Sequence, residues 1–222
     1  YKGRQILSPD QLAKITTNRP IYEKAGATAR IPWQMIAAIH VRESGLSMTN
    51  PRNGQGIFQD YGYTHNMGKP YTPGPVSDDE FIRQAVNAAK DLVNGTRETL
   101  RAGLASGNPD SVKDSFFAYN GRADVYIGQA IRLGFSKEQG YEGSPYVMNK
   151  YDAKREPSST WGQIKTDHGR VSYPANQDYG AFVVYQSLGG AGGLSNSACP
   201  QYGATDGGLG SADGVTFPLK TT

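Results

Sequence analysis

Apolar residues recur along most of this chain at helical spacing, and clean period-two alternation is nearly absent. Ser8-Pro9-Asp10 supplies an N-cap with Pro at the first helical position, leading into "QLAKI". "RPIYEKAGATAR" follows as a second short helix, weakened by Gly26. Pro32 opens a third helix, "WQMIAAIHVRES", which Ser44-Gly45 ends. Ser77 as N-cap, with Glu80 at the capping-box position, starts a longer one, in which Phe81, Ala85, Ala88, Ala89 and Leu92 share a stripe. Gly95-Thr96 reads as a kink in it. Asn108-Pro109-Asp110 marks a turn into "SVKDSFFAYNG", which Asn120-Gly121 stops. "VYIGQAIRLGF" and "PYVMNKYDAKRE" read as helical, while "DYGAFVVYQSL" fits helix or strand equally well. The pattern predicts a mainly α fold.

Two stretches break the periodicity. Residues 50–75 are punctuated by Gly, Asn and Pro and read as a long ordered loop or a short hairpin; their aromatic content argues against disorder. After Leu188 the chain becomes Gly-rich and poor in apolar residues, the composition of a linker or tail. The terminal "VTFPLKTT" regains apolar character, as the first residues of a further domain would. The expected organisation is one helical domain over 1–188 and a tail over 189–222.

Composition narrows the function classes only a little. Hydrophobic residues are 37% and charged residues 19%, enough to bury a core. The net charge is +3, without a dense Lys/Arg run, so nucleic acid is not an expected partner. A mild positive charge suits an acidic polymer such as a bacterial wall. The chain has 14 Tyr and 28 Gly, and tyrosines suit carbohydrate contacts. A single cysteine, Cys199, excludes an internal disulfide framework. No stretch approaches the roughly 20 apolar residues that cross a bilayer. The chain starts at Tyr1 without signal-peptide architecture, as a processed form or an excised piece would.

The candidate chemistry sits at the end of the third helix. Ile36, Ile39, His40 and Glu43 fall at i, i+3, i+4 and i+7, so Glu43 shares the face that the isoleucines turn toward the core. A carboxyl there is desolvated and keeps its proton near neutral pH, the state of a general acid. A Glu in a last helical turn also occurs as a plain ion-pair partner, here of Arg42 or a Lys. His40 and Glu43 at i, i+3 fit two metal ligands, with His65 and His168 to complete a site, but their spacing is unspecific and no metal is expected. The bland reading of His40 is a core-edge histidine bonded to a backbone carbonyl.

Three motifs in order carry a resemblance: Glu43-Ser44 at a helix end, Gly56-Ile57-Phe58-Gln59 after a Gly-punctuated stretch, and Ala118-Tyr119-Asn120 after a later helix. This order, covering about half the chain over 31–151, resembles the lytic transglycosylase and goose-type lysozyme superfamily. The resemblance implies a lysozyme-like helical domain, with the long loop or small hairpin beside an active-site cleft. It implies that Glu43 is the general acid/base and that Ser44 orients it or a sugar N-acetyl group. Gln59 and the backbone of Gly56 to Phe58 would line the cleft floor, Tyr119 would bond near Glu43 or the sugar, and Asn120 would fix the local turn or touch the ligand. Phe58 stands where the family usually has Met, which implies a different sugar-contacting wall. A packed Tyr119 and an Asn-Gly helix stop explain the third motif equally well.

The implied substrate is peptidoglycan, cut at the MurNAc-GlcNAc β-1,4 bond outside the cytoplasm by a monomer without cofactor, with cell-surface or secretion assemblies as further partners. Transglycosylases of this superfamily use one Glu and leave 1,6-anhydro ends, whereas glycosidases normally need a second carboxyl. Asp60 is the best candidate for that second carboxyl, since Asp78 and Asp79 read as first-turn acids favoured by the helix dipole. The reading leans to non-hydrolytic cleavage. Hydrolysis, and a non-catalytic peptidoglycan-binding module, stay open as alternatives.

Overall fold

Ser8 opens α1 by a reciprocal cap: its hydroxyl accepts from the Gln11 amide at 3.2 Å and its own amide donates to the Gln11 side chain at 2.9 Å. The computed structural model describes residues 6–60, 72–147, 163–166, 169–172 and 179–190. In it α1 runs unbroken over Pro9–Ala29, where the sequence suggested two short helices. Pro20 removes the amide that would donate to the Thr16 carbonyl, yet the helix continues through it. Tertiary packing outweighs that loss, because Ile15, Tyr22, Ala25 and Gly26 form one buried face against the next helices.

Gly26 is required by proximity rather than tolerated. A Cβ there would lie 2.7 Å from the Ile31 carbonyl oxygen and 3.2 Å from Trp33 Cα, so α1 and the start of α2 meet at that position. Helix α2 spans Trp33–Ser44 and buries Met35 to His40 completely. Gly45 ends it in the left-handed region (φ 62°), its amide capping the His40 and Val41 carbonyls.

The long loop is a closed segment whose ends pair as a two-residue antiparallel bridge, β1 (Thr49–Asn50) with β2 (Gly74–Pro75). Helix α3 (Asp78–Gly95) follows, capped by the Ser77 hydroxyl on the Glu80 amide. Only that half of the expected capping box is made, because the Glu80 carboxylate pairs with Arg83 and accepts from Gln84 instead. The stripe Phe81, Ala85, Ala88, Ala89 and Leu92 is fully buried. The kink expected at Gly95-Thr96 is a break: Thr96 caps α3, and a one-turn α4 (Glu98–Arg101) follows.

Helix α5 (Pro109–Tyr119) starts on the Asn108 side chain and ends at Asn120. Its Asp114 is fully buried and takes both Arg97 and Arg122, fixing α5 to the α3–α4 corner. Helix α6 (Asp124–Arg132) packs on a 3-10 segment, Lys137–Gly143. The apolar segment left open between helix and strand is helical, α7 (Ala181–Ser187), and it packs on α2. A second antiparallel pair, β3 (Gln163–Thr166) with β4 (Gly169–Ser172), falls where the sequence showed no strand signal.

The fold is mainly helical. One buried cluster gathers side chains from Leu7 to Tyr185, with α2 at its centre. The helix expected from Pro145 has a turn over 145–147, and its remainder lies outside the described residues, as do 61–71 and the tail beyond Gly190.

Candidate active site

Where α2 stops, its last turn meets a chain segment a hundred residues away. The Tyr146 hydroxyl donates to Glu43 Oε1. Tyr146 is itself fixed by its backbone, its amide donating to the Ser144 hydroxyl at 3.2 Å and its carbonyl accepting the Phe182 amide of α7 at 2.9 Å. Residues 179–188 therefore have a part in the site: α7 holds the turn that carries Tyr146. The Arg42 guanidinium lies 5.2 Å from the centre of the Tyr146 ring, close enough for a cation–π contact.

Burial pushes the Glu43 carboxyl up from its ordinary value to about 7, against the Tyr146 hydrogen bond and the Arg42 charge, which both lower it. Near neutral pH it is thus divided between acid and carboxylate, the state a group needs to give a proton and later take one. Burial and the neighbouring Glu43 carboxylate raise Tyr146 well above the ordinary tyrosine range, so its hydroxyl stays a donor.

Behind Glu43, His40 is fully buried. Its Nε2 faces the Ser47 carbonyl at 2.8 Å and its Nδ1 the Tyr22 hydroxyl at 2.8 Å. A carbonyl can only accept, so Nε2 carries the hydrogen and Tyr22 donates to Nδ1. Burial lowers His40 to about 4, which keeps it neutral. With both nitrogens engaged, His40 has none to offer a metal, and its role is to tie α2 to the chain that leaves it. His65 and His168 lie outside the described residues.

The second motif forms a tight turn beside this helix end. Gly56 (φ 71°) and Gln59 (φ 49°) are both left-handed, and the Gln59 amide donates to the Gly56 carbonyl at 3.2 Å. The Gln59 side chain stays within the turn, accepting from Asn53 at 2.6 Å and donating to the Gly56 carbonyl at 3.3 Å. Phe58 is not a sugar-contacting wall. It is 1% exposed, with its ring centre 4.9 Å from His40 and 6.0 Å from Phe81, and so belongs to the core beneath the turn. A large apolar ring gains more from that cluster than from a wet groove.

The third motif closes onto the second. The Tyr119 hydroxyl donates to the Phe58 carbonyl at 2.8 Å, and the carboxylates of Asp60, Glu43 and Asp91, together with burial, raise its pKa well above the ordinary range. Tyr119 thus feels the charge of all three carboxyls. Asn120 caps α5, and its side-chain nitrogen is buried with no hydrogen-bond partner among the described residues. The Ser44 hydroxyl turns back to the His40 carbonyl at 3.4 Å, within its own helix.

Asp60 is buried and faces α3. Asn87 donates to it, and Asp60 hydrogen-bonds Asp91, whose pKa rises to about 7 through burial and through Asp60 itself. Asp91 thus keeps its proton well above the ordinary carboxylate range. Tyr146, Asp91 and the α3 amides Gln84 and Asn87 were not identified from sequence. Gln84, Asn87 and Asp91 fall at i, i+3 and i+7, a polar stripe beside the apolar one, and that spacing is the signal that could have revealed three of them. No family model, curated protein or solved structure matches the chain.

Proposed function

We propose that this chain is a peptidoglycan-cleaving enzyme of the lytic transglycosylase and goose-type lysozyme kind, with a lysozyme-like helical domain and Glu43 as its general acid/base. The observation that carries the reading is the state of Glu43. It is a carboxyl raised to about 7 by burial at a helix end and gripped by Tyr146, and its charge is felt by Tyr119, which is bonded to the Gly56–Gln59 turn.

The chemistry follows from one carboxyl. Protonated Glu43 gives its proton to the glycosidic oxygen, the bond from C1 of the MurNAc residue to that oxygen breaks, and the GlcNAc hydroxyl leaves. The carboxylate, held by the Tyr146 hydroxyl, then removes the proton of the MurNAc C6 hydroxyl. That oxygen bonds to C1, closing a 1,6-anhydro ring and returning Glu43 to its acid form. No water is consumed. Asp60 is committed to Asn87 and Asp91, which favours this route over hydrolysis by a second free carboxyl. Such an enzyme works outside the cytoplasm, where its polymer is.

The test is clearing of purified cell walls by the wild type and by Glu43→Gln. The expected result is clearing by the wild type and a loss of about a hundredfold or more in the variant. Equal clearing by both, or by neither, removes the catalytic role. Mass spectrometry of the fragments then separates the chemistries, since anhydro ends mean transglycosylation and reducing ends mean hydrolysis.

A further inference from the structure

Gln84 stands in the middle of α3 and is 2% exposed. Its Oε1 accepts the Ile57 amide at 2.8 Å, and its Nε2 donates to Asn50 Oδ1 at 2.8 Å and to Glu80 Oε1 at 3.0 Å. The orientation of the amide is fixed by this set, because reversing it would point a donor at the Ile57 N–H. Asn50 continues the chain of bonds, its Nδ2 donating to the Thr72 carbonyl at 3.0 Å. The Gln84 amide therefore links the Gly56–Gln59 turn to one end of the segment that contains it, and the Asn50 amide carries the link to the other.

That turn needs outside support. Gly56 and Gln59 are both left-handed, a conformation that costs a non-Gly residue about 1 kcal/mol or more. Two residues of the turn and the one that follows it are tied down by three different side chains: Ile57 by Gln84, Phe58 by Tyr119, and Asp60 by Asn87. Tyr119 feels the charge of the Glu43, Asp60 and Asp91 carboxyls, whereas the hydrogen bonds of Gln84 among the described residues run to the loop and to its own helix.

We propose that Gln84 is a positioning residue of the cleft floor: its one amide ties the buried Ile57 backbone to α3 and so holds Gln59, the partly exposed residue of the turn, where the glycan lies. The proposal rests on the function proposed above. It gives the Gly-punctuated loop a determinant of glycan affinity that lies on a different element from the acid.

The test is Gln84→Met, which keeps the length of the side chain and removes its hydrogen bonds. Three quantities are measured well below the melting temperature: exchange of the Ile57 amide by NMR, kcat and KM on soluble peptidoglycan fragments with their pH profile, and fragment binding in a Glu43→Gln background. The expected result is Ile57 exchange at least about tenfold faster, KM raised about tenfold, and an unmoved basic limb, because Glu43 and Tyr146 are untouched. A merely structural Gln84 would lower the melting temperature and speed Ile57 exchange but leave KM and affinity as in the wild type, and that result overturns the proposal. Should Gln84→Met not fold, Asn50→Ala removes one of the two partners of Gln84 Nε2, together with the bond to the Thr72 carbonyl, and KM and fragment affinity are read in the same way. A wild type that neither cleaves nor binds the fragments overturns the proposed function, and the glycan role of Gln84 with it. Intact wild-type activity with an unmoved KM overturns the role of Gln84 alone.

Discussion

Opposing influences meet on the Glu43 carboxyl. Burial raises its pKa, whereas the Tyr146 hydroxyl and the Arg42 guanidinium lower it, and burial wins. Tyr146→Phe removes one of the lowering influences, so the pKa rises further and the acid form persists to higher pH. The activity of the wild type should fall as pH climbs through about 7, where Glu43 loses its proton. In Tyr146→Phe that basic limb moves upward, while kcat falls about tenfold because the carboxylate formed in the first step loses its hydrogen-bond donor. A pH–rate profile of both proteins checks this; a limb that stays in place shows that Tyr146 does not govern Glu43. Sequence could point to Glu43, since helical spacing alone puts it on the isoleucine face. It could not point to Tyr146, which reaches the same carboxyl from a turn held by α7.

Helix α1 shows how local and tertiary preferences part. Propensity alone makes Gly26 a defect that Ala would repair, worth up to about 1 kcal/mol. Yet a Cβ at Gly26 meets the Ile31 carbonyl oxygen and Trp33 Cα, backbone atoms that cannot swing aside. Gly26→Ala is therefore expected to destabilise the protein by about 1–3 kcal/mol, measured by urea unfolding. A neutral or stabilising result would mean that the α1–α2 corner relaxes freely. The starts and stops of the helices were legible for a related reason. Ser8, Ser77, Asn108 and Gly45 act on amides and carbonyls within a few residues of themselves, so their effects are written locally. The continuation of α1 through Pro20 is not local, because it depends on burying Ile15 and Tyr22 against other helices.

Proton binding by the whole protein carries a signature of the site. Asp91 is raised from 3.8 to about 7 and Glu43 from 4.5 to about 7, so the folded state holds these protons more tightly than the unfolded chain does. A raised carboxyl contributes stability that is fully present below its unfolded pKa and is lost as pH rises toward its folded one. Asp114 acts in the opposite direction, since Arg97 and Arg122 hold it below the ordinary range and its contribution is lost in acid. A difference measurement separates them. Asp91→Asn should match the wild type near pH 4 and be the more stable protein at pH 7 to 8, with a melting temperature higher by a few degrees. A difference that does not change with pH would mean that Asp91 does not hold its proton above the ordinary carboxylate range in the folded state.

By itself the sequence determined the helical class, most helix boundaries and the placing of Glu43 on a buried face, because caps, breakers and 3.6-residue spacing act over a few residues. The tertiary structure decided what surrounds that carboxyl. Phe58 went into the core because the ring of His40 and that of Phe81 were there to receive it. Gln84 became a buried bridge because the Ile57 amide needed an acceptor, and Asp60 turned to α3 because Asn87 and Asp91 stand there. Partners so far apart along the chain are brought together only by the tertiary fold, in which each buried polar group needs a partner within hydrogen-bond reach.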